Sequence, residues 1–185
     1  MSEQSLRGVS VSLVQNQELI YAKRFGVSDF EKQSPANEST NYRIASITKL
    51  FTSIVLMQLV ERKKIFLDTP VVEIIPELRA IKTNGHSVED ITIKSILTHT
   101  TGLPTNPNFL LDKRGQNQAL ALDEFLKGLA QQSLLFPPNR IHKYSNLAMN
   151  LSGLIVERVS GLSYEQHIQE VILTPLQLES TRFPT

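Results

Sequence analysis

Ser46-Ile47-Thr48-Lys49 has the form S-x-x-K. On a helix, positions i and i+3 share a face, so the Lys49 amine can reach the Ser46 hydroxyl. The positive end of a helix favours an anionic oxygen nearby. A neutral or proton-sharing lysine could then activate the serine as a nucleophile. Taken alone the tetrad is weak, because average composition yields on the order of one chance match in a chain of this length. A capping serine followed by a solvated lysine is then the simpler reading. Tyr144-Ser145-Asn146 offers a phenol, a hydroxyl and an amide in one tight turn. A phenol close to an ammonium can have its pKa lowered and serve as a general base, and the amide can hold a substrate carbonyl. Alone, this triplet reads more simply as a packed tyrosine beside a helix cap, supplied by Ser145 or Asn146.

Both groups need helices to hold them. From Ser46 onward Leu50, Ile54, Met57 and Val60 follow helical spacing, and the run ends in Arg62-Lys63-Lys64, which suits the negative end of a helix dipole. The second strong helix spans Ser145 to Ser160, with Leu147, Leu151, Leu154, Ile155 and Val159 as its stripe and Gly161 at the C-terminal cap position. Shorter helices are expected over Pro70–Ile75, Thr92–Thr98 and Leu122–Gln132. Ser163 and Gln166 form an S-x-x-Q capping box, opening a helix to about Leu173. Ahead of these, residues 8–15 alternate with period 2, Asn16-Gln17 suits a turn and residues 19–27 read as the return strand. Residues 34–40, rich in Ser, Pro, Asn and Thr, read as a loop.

Composition removes several alternatives. The chain of 185 residues has no cysteine, which excludes thiol catalysis and disulfides. Lys and Arg number 19 against 18 Asp and Glu, a balance that argues against a nucleic-acid partner. The histidines show no i, i+4 pairing and no H-E-x-x-H, there is no P-loop, and His99 reads as a structural hydrogen-bonding residue. No stretch is long and apolar enough to cross a bilayer, and the first residues lack a signal core, so the sequence reads as soluble with its compartment left open.

Taken together, Tyr42 to Lys49, Leu67-Asp68-Thr69-Pro70-Val71, Leu97-Thr98-His99-Thr100-Thr101-Gly102-Leu103, Tyr144-Ser145-Asn146 and Thr174-Pro175-Leu176 to Phe183 resemble the serine β-lactamase and penicillin-binding-protein superfamily. The likeness is to the class C β-lactamase-related branch, which includes D,D-peptidases and esterases, and it runs from residue 8 to 183 in the family's order. It implies an α+β fold, here an N-terminal antiparallel hairpin (8–27) and a mainly helical region (46–183) of an incomplete β-lactamase/transpeptidase-like domain over 1–185. It implies Ser46 as the acylated nucleophile, Lys49 as its proton partner, Tyr144 as base and later acid, and Asn146 as the group that orients the substrate. The backbone N–H of Ser46 would supply one oxyanion donor. No metal or organic cofactor is implied. The substrate would be a β-lactam, a D-amino-acid peptide or a carboxylic ester.

Two departures qualify the resemblance. Asn139 follows Pro137-Pro138 where the family often has glycine, and asparagine tolerates positive φ. The family's third box, K-T-G or H-T-G on a later strand, is not found after Tyr144. Lys82-Thr83-Asn84-Gly85 and His99-Thr100-Thr101-Gly102 carry an extra residue and precede it. The expectation is therefore the front portion of a serine hydrolase, weak or inactive alone. The alternatives are a non-catalytic fragment or a split module completed by a partner chain. An unpaired strand edge would invite association with a second chain.

Overall fold

The computed structural model describes residues 7–29, 31–106 and 121–183. These fall into two compact units, one comprising the chain up to Ile44 with residues 180–183, the other Ala45 to Glu179.

The first unit is a three-stranded antiparallel sheet in the order β1-β2-β3. Strand β1 is Gly8–Gln15, β2 is Glu18–Asp29, and β3 is the short Ser34–Pro35. Asn16 and Gln17 both have positive φ (51° and 68°), as a two-residue hairpin turn of the right twist requires, and they fix Gln15 opposite Glu18. The hairpin lies where the alternation places it, and β3 falls within the stretch read as a loop. A further correction concerns burial. From Ser10 to Gln15 both faces of β1 are exposed, so the alternation marks pleat, not burial. A sheet whose third strand has two residues is too narrow to bury either face.

The second unit is helical. A 3₁₀ turn, Ala45–Ile47, leads into α1, Thr48–Glu61. Helix α2 is Val71–Ile74 and α3 is Ile93–Leu97, with 3₁₀ turns at Pro76–Ala80 and Val88–Asp90 between them. Helices α4, Leu122–Leu129, and α5, Asn146–Ser160, follow. Helix α6, Tyr164–Ile168, runs on into a π-helical turn, Gln169–Leu173. The caps explain most boundaries. Thr92 with Ser95, and Ser163 with Gln166, form reciprocal capping boxes; Ser145 caps α5, and Gly161 (φ 77°) ends it in the left-handed region.

Helix α5 carries the core. Leu147, Leu151 and Ile155 are fully buried, and the helix packs on α1, α2, α3 and α6. Helix α1, which packs on α5 and α6, buries Thr52, Val55, Leu56 and Leu59. That corrects the expected face, because Leu50, Ile54 and Met57 are all exposed. A helix apolar on nearly every side gives no period from which to choose the buried one. Other ends also shift. Pro70 caps α2 instead of entering its first turn, α4 stops at Leu129, and Arg62-Lys63-Lys64 lies beyond the last turn of α1.

Candidate active site

The structure places Ser46 in the 3₁₀ turn that precedes α1, one residue ahead of the helix cap. This position is not a cap, for Ile47 occupies that place and makes no side-chain bond to the helix. The Ser46 hydroxyl is instead directed at two other groups. Its Oγ lies 2.9 Å from the Tyr144 hydroxyl and accepts a bond from Lys49 Nζ at 3.1 Å. The Lys49 ammonium also sits 4.9 Å from the centroid of the Tyr144 ring. Two residues 98 positions apart in the chain are thus joined through one hydroxyl. The simpler reading of the tetrad, a capping serine and a solvated lysine, does not describe this arrangement.

Electrostatics follow from that geometry. Burial pushes the Tyr144 phenol up. The attraction of Lys49 and the hydrogen bond to Ser46 outweigh it, and the net result is a pKa below the ordinary 10.0. A lowered pKa leaves a larger fraction of the phenol deprotonated near neutrality, and in that form it can take a proton from a hydroxyl already at bonding distance.

A second layer holds Tyr144 in place. Residues 98–106 run beside the segment that ends in Tyr144. Thr105 Oγ1 donates to the Tyr144 carbonyl at 2.7 Å, the Lys143 N–H donates to the His99 carbonyl at 2.8 Å, and the Asn139 N–H donates to the Thr100 carbonyl at 2.7 Å. Ser145 is fully buried. Its Oγ donates to the Pro104 carbonyl at 2.7 Å and accepts from the Ala148 N–H at 3.0 Å, so it serves both the loop and the helix. The His99 ring lies 4.7 Å from that of Tyr144, and its Nδ1 accepts from the Ser145 N–H at 3.3 Å. Burial, then the charges of His142 and Lys49, lower the His99 pKa. Neutral His99 can accept at Nδ1, which the bond from Ser145 requires.

Gly102 and Asn139 both adopt positive φ where the two segments pair. Gly102 has φ 77°, and a Cβ there would collide with the Phe136 carbonyl oxygen. Asn139, at the position where glycine was expected, adopts φ 64°. Asparagine enters that region more easily than other non-glycine residues.

A scan of the chain matches the family model named Beta-lactamase over residues 1–185. The chain belongs to the Beta-lactamase family. Esterase EstB of Burkholderia gladioli is 31% identical over 192 residues, covering 99% of this chain and 48% of the relative. Protein flp of Staphylococcus aureus strain MW2 is 31% identical, covering 95% of this chain and 34% of its own length. Among solved structures, EstCE1, a hydrolase with promiscuous acyltransferase activity, superposes with a TM-score of 0.80 at 26% identity, over 95% of this chain and 48% of that one. The octameric penicillin-binding protein homologue from Pyrococcus abyssi gives 0.79 at 32% identity, over 96% of this chain and 40% of that one. This Beta-lactamase-family chain thus spans between a third and a half of the length of these relatives.

All four residues singled out in the sequence lie in the second unit. Ser46, Lys49 and Tyr144 form one bonded cluster. Asn146, the first residue of α5, donates through Nδ2 to the Asn106 side chain. Three supporting residues were not anticipated in these roles: His99 against the tyrosine ring, Thr105 on the tyrosine carbonyl and Asn106 on the Asn146 amide. The Leu97–Leu103 segment was the available signal. Its pairing with residues 135–146 has no counterpart in local sequence. Among the described residues no group of three His, Cys, Asp or Glu could hold a metal ion, and no helix is long and apolar enough to cross a membrane.

Proposed function

We propose that Ser46 is the nucleophile of a serine hydrolase that works through an acyl-enzyme. The observation that carries this reading is the single hydroxyl shared by Lys49 Nζ and Tyr144 OH. In the acylation step the Ser46 Oγ bonds to the substrate carbonyl carbon. The Oγ proton passes to the Lys49–Tyr144 pair, and the bond to the leaving group breaks as that group takes the proton from Tyr144. Water then reverses the roles and releases the acid. Asn146 orients the carbonyl-bearing group, and the Ser46 N–H is one donor to the developing oxyanion.

The candidate substrates are carboxylic esters, β-lactams and D-amino-acid peptides. The relative named as an esterase favours esters. The activity is proposed for the polypeptide that also carries the third box. Residues 1–185 alone are expected to be weak or inactive, since removing one oxyanion donor typically lowers kcat about 10²–10³-fold.

A fluorophosphonate or fluorescent-penicillin probe tests the reading. The expected result is one labelled site, mapped by mass spectrometry to Ser46 and absent from Ser46→Ala. Labelling that persists in Ser46→Ala, or none in a full-length form, sinks it.

A further inference from the structure

The peptide unit that follows Tyr144 is held at both of its polar ends by side chains of the 98–106 segment. Thr105 Oγ1 donates to the Tyr144 carbonyl at 2.7 Å, and His99 Nδ1 accepts from the Ser145 N–H at 3.3 Å. The same imidazole lies against the phenol ring, 4.7 Å between centroids at a tilt of 42°. One side chain thus touches both the backbone and the ring of the proposed base. The His99 main chain is anchored by other bonds. Its N–H donates to the Ile96 carbonyl at 3.1 Å, and its carbonyl accepts from the Lys143 N–H at 2.8 Å. A change of charge on the ring leaves those two bonds in place and falls on the segment that carries Tyr144.

The bond from Ser145 demands one protonation state. A neutral imidazole has one nitrogen free to accept, whereas an imidazolium has two N–H donors and no acceptor. Protonation would set a donor at Nδ1 against the Ser145 N–H, and the two would be driven apart. The surroundings resist that charge. Among the described residues, the groups that face the ring are the Tyr144 phenol, the His142 imidazole at 6.0 Å between centroids, and the Lys49 ammonium from α1. Burial, then His142, then Lys49, hold the His99 pKa below the ordinary 6.5. The accepting form therefore prevails at neutral pH, and the other is reached in acid.

We propose that His99 is a positioning residue that gates the site by its proton: neutral, it clamps the peptide after Tyr144 and keeps the phenol in reach of Ser46; protonated, it releases that peptide and the site falls idle. The proposal rests on the serine-hydrolase reading of Ser46 and adds to it a control by acid separate from the titration of the base. His99 touches no substrate and passes no proton in this role.

The test compares two substitutions in the full-length form, with kcat and KM for p-nitrophenyl acetate followed across pH. His99 has φ 53°, a region that asparagine enters more easily than other non-glycine residues, and the asparagine Oδ1 is an acceptor that does not titrate. His99→Ala removes the acceptor, so kcat should fall about 10–100-fold with KM little changed, as a misplaced catalytic group costs. His99→Asn should recover most of that loss. The deciding readout is kcat/KM of the unsubstituted protein divided by that of His99→Asn, taken where circular dichroism shows both folded. This ratio should be constant on the alkaline side of 6.5 and fall about tenfold or more on the acid side, since only the histidine lets go there. The His99 Cε1 proton shift in NMR should titrate at the pH where the ratio falls. A ratio independent of pH, or a shift that titrates elsewhere, overturns the gate and leaves the hydrolase reading intact. The ratio needs only His99→Asn, so it decides the gate even where His99→Ala fails to fold. A folded His99→Ala as active as His99→Asn overturns the positioning role. If no ester or probe reacts at Ser46 in the unsubstituted full-length form, the hydrolase reading falls and the gate falls with it.

Discussion

Two helices begin at the site with a serine, and the two serines are used in opposite ways. At the start of α5, Ser145 is buried and tied to both the Ala148 N–H and the Pro104 carbonyl. Just ahead of α1, Ser46 caps nothing, and among the described residues its hydroxyl bonds to Tyr144 and to Lys49. The backbone around it is also less comfortable. Ala45, the preceding residue, has φ 45°, in a region that residues with a Cβ enter at a cost of about 1–3 kcal/mol. One hydroxyl holds the fold from the cap position of its helix, and the other, one residue ahead of the cap position of α1, bonds to the groups that could do chemistry. The comparison teaches that helix-start position does not define a serine's role; its partners do.

The largest effect that separates the two is expected at Ser46. On the serine-hydrolase reading, Ser46→Ala should lower kcat/KM by on the order of 10⁴-fold or more, as loss of a nucleophile does. Its stability in urea should stay within about 0.5 kcal/mol, because no buried partner loses a bond. A variant that unfolds markedly more easily would show that Ser46 shares the structural role of Ser145.

Tyr144→Phe comes next. It removes the proton acceptor but keeps the ring that packs on His99, so about 10²–10³ in kcat/KM is expected to be lost with little change in stability. The pH profile sharpens the point. A base must be deprotonated to act, so kcat/KM should rise with pH through an apparent pKa that lies below the 10.0 of a free phenol. That rise should disappear in the variant. A profile unaffected by Tyr144→Phe would assign the base elsewhere.

Ser145→Ala should show the reverse pattern. The cap of α5 is lost and the Pro104 carbonyl loses its donor, together about 2–3 kcal/mol of stability measured by denaturant unfolding. Probe labelling at Ser46 should survive under conditions where the variant remains folded. If Ser145→Ala abolishes labelling without destabilising the protein, the division between the two serines is wrong.

The same contrast governs what could be read in advance. Thr92, Ser145 and Ser163 announced their helices, because a cap is a bond between residues three apart and is written in one short stretch. Ser46 and Lys49 were legible for the same reason. The bond from Ser46 to Tyr144 spans 98 residues and was reached only through resemblance to a family. His99 was legible as a structural hydrogen-bonding residue but its partner was not, and Thr105 and Asn106 were not legible as supports, since the partners lie about 40 residues away in a loop pairing that no periodicity announces. The buried face of α1 was misjudged because apolar residues occupy nearly all its sides. The π turn after Ile168 and the short strand at Ser34–Pro35 have no local residue signal.

The smallest expected effect lies at the other end of α5, where the chain uses charge instead of a hydroxyl. Arg158 meets Glu77 through two bonds, at 2.8 and 2.7 Å, and also donates to the Ile74 carbonyl at 2.9 Å. Hydrogen bonding from Arg158, then a bond from its own backbone, holds the Glu77 carboxyl at about 2 instead of 4.5. A lowered carboxyl pKa means that the folded state gives up the proton more readily than the unfolded chain. The pair therefore stabilises the fold above about pH 4.5, and its contribution fades as the pH falls toward 2. Both side chains are partly solvated, with 28% of Arg158 and 39% of Glu77 exposed, so screening reduces the contribution to about 1 kcal/mol at neutral pH. Glu77→Gln should lose that amount at pH 7 and unfold with a shallower dependence on acid below pH 4.5 than the unsubstituted protein. Equal acid sensitivity of the two proteins in urea titrations across that window would place the acid-labile contact elsewhere.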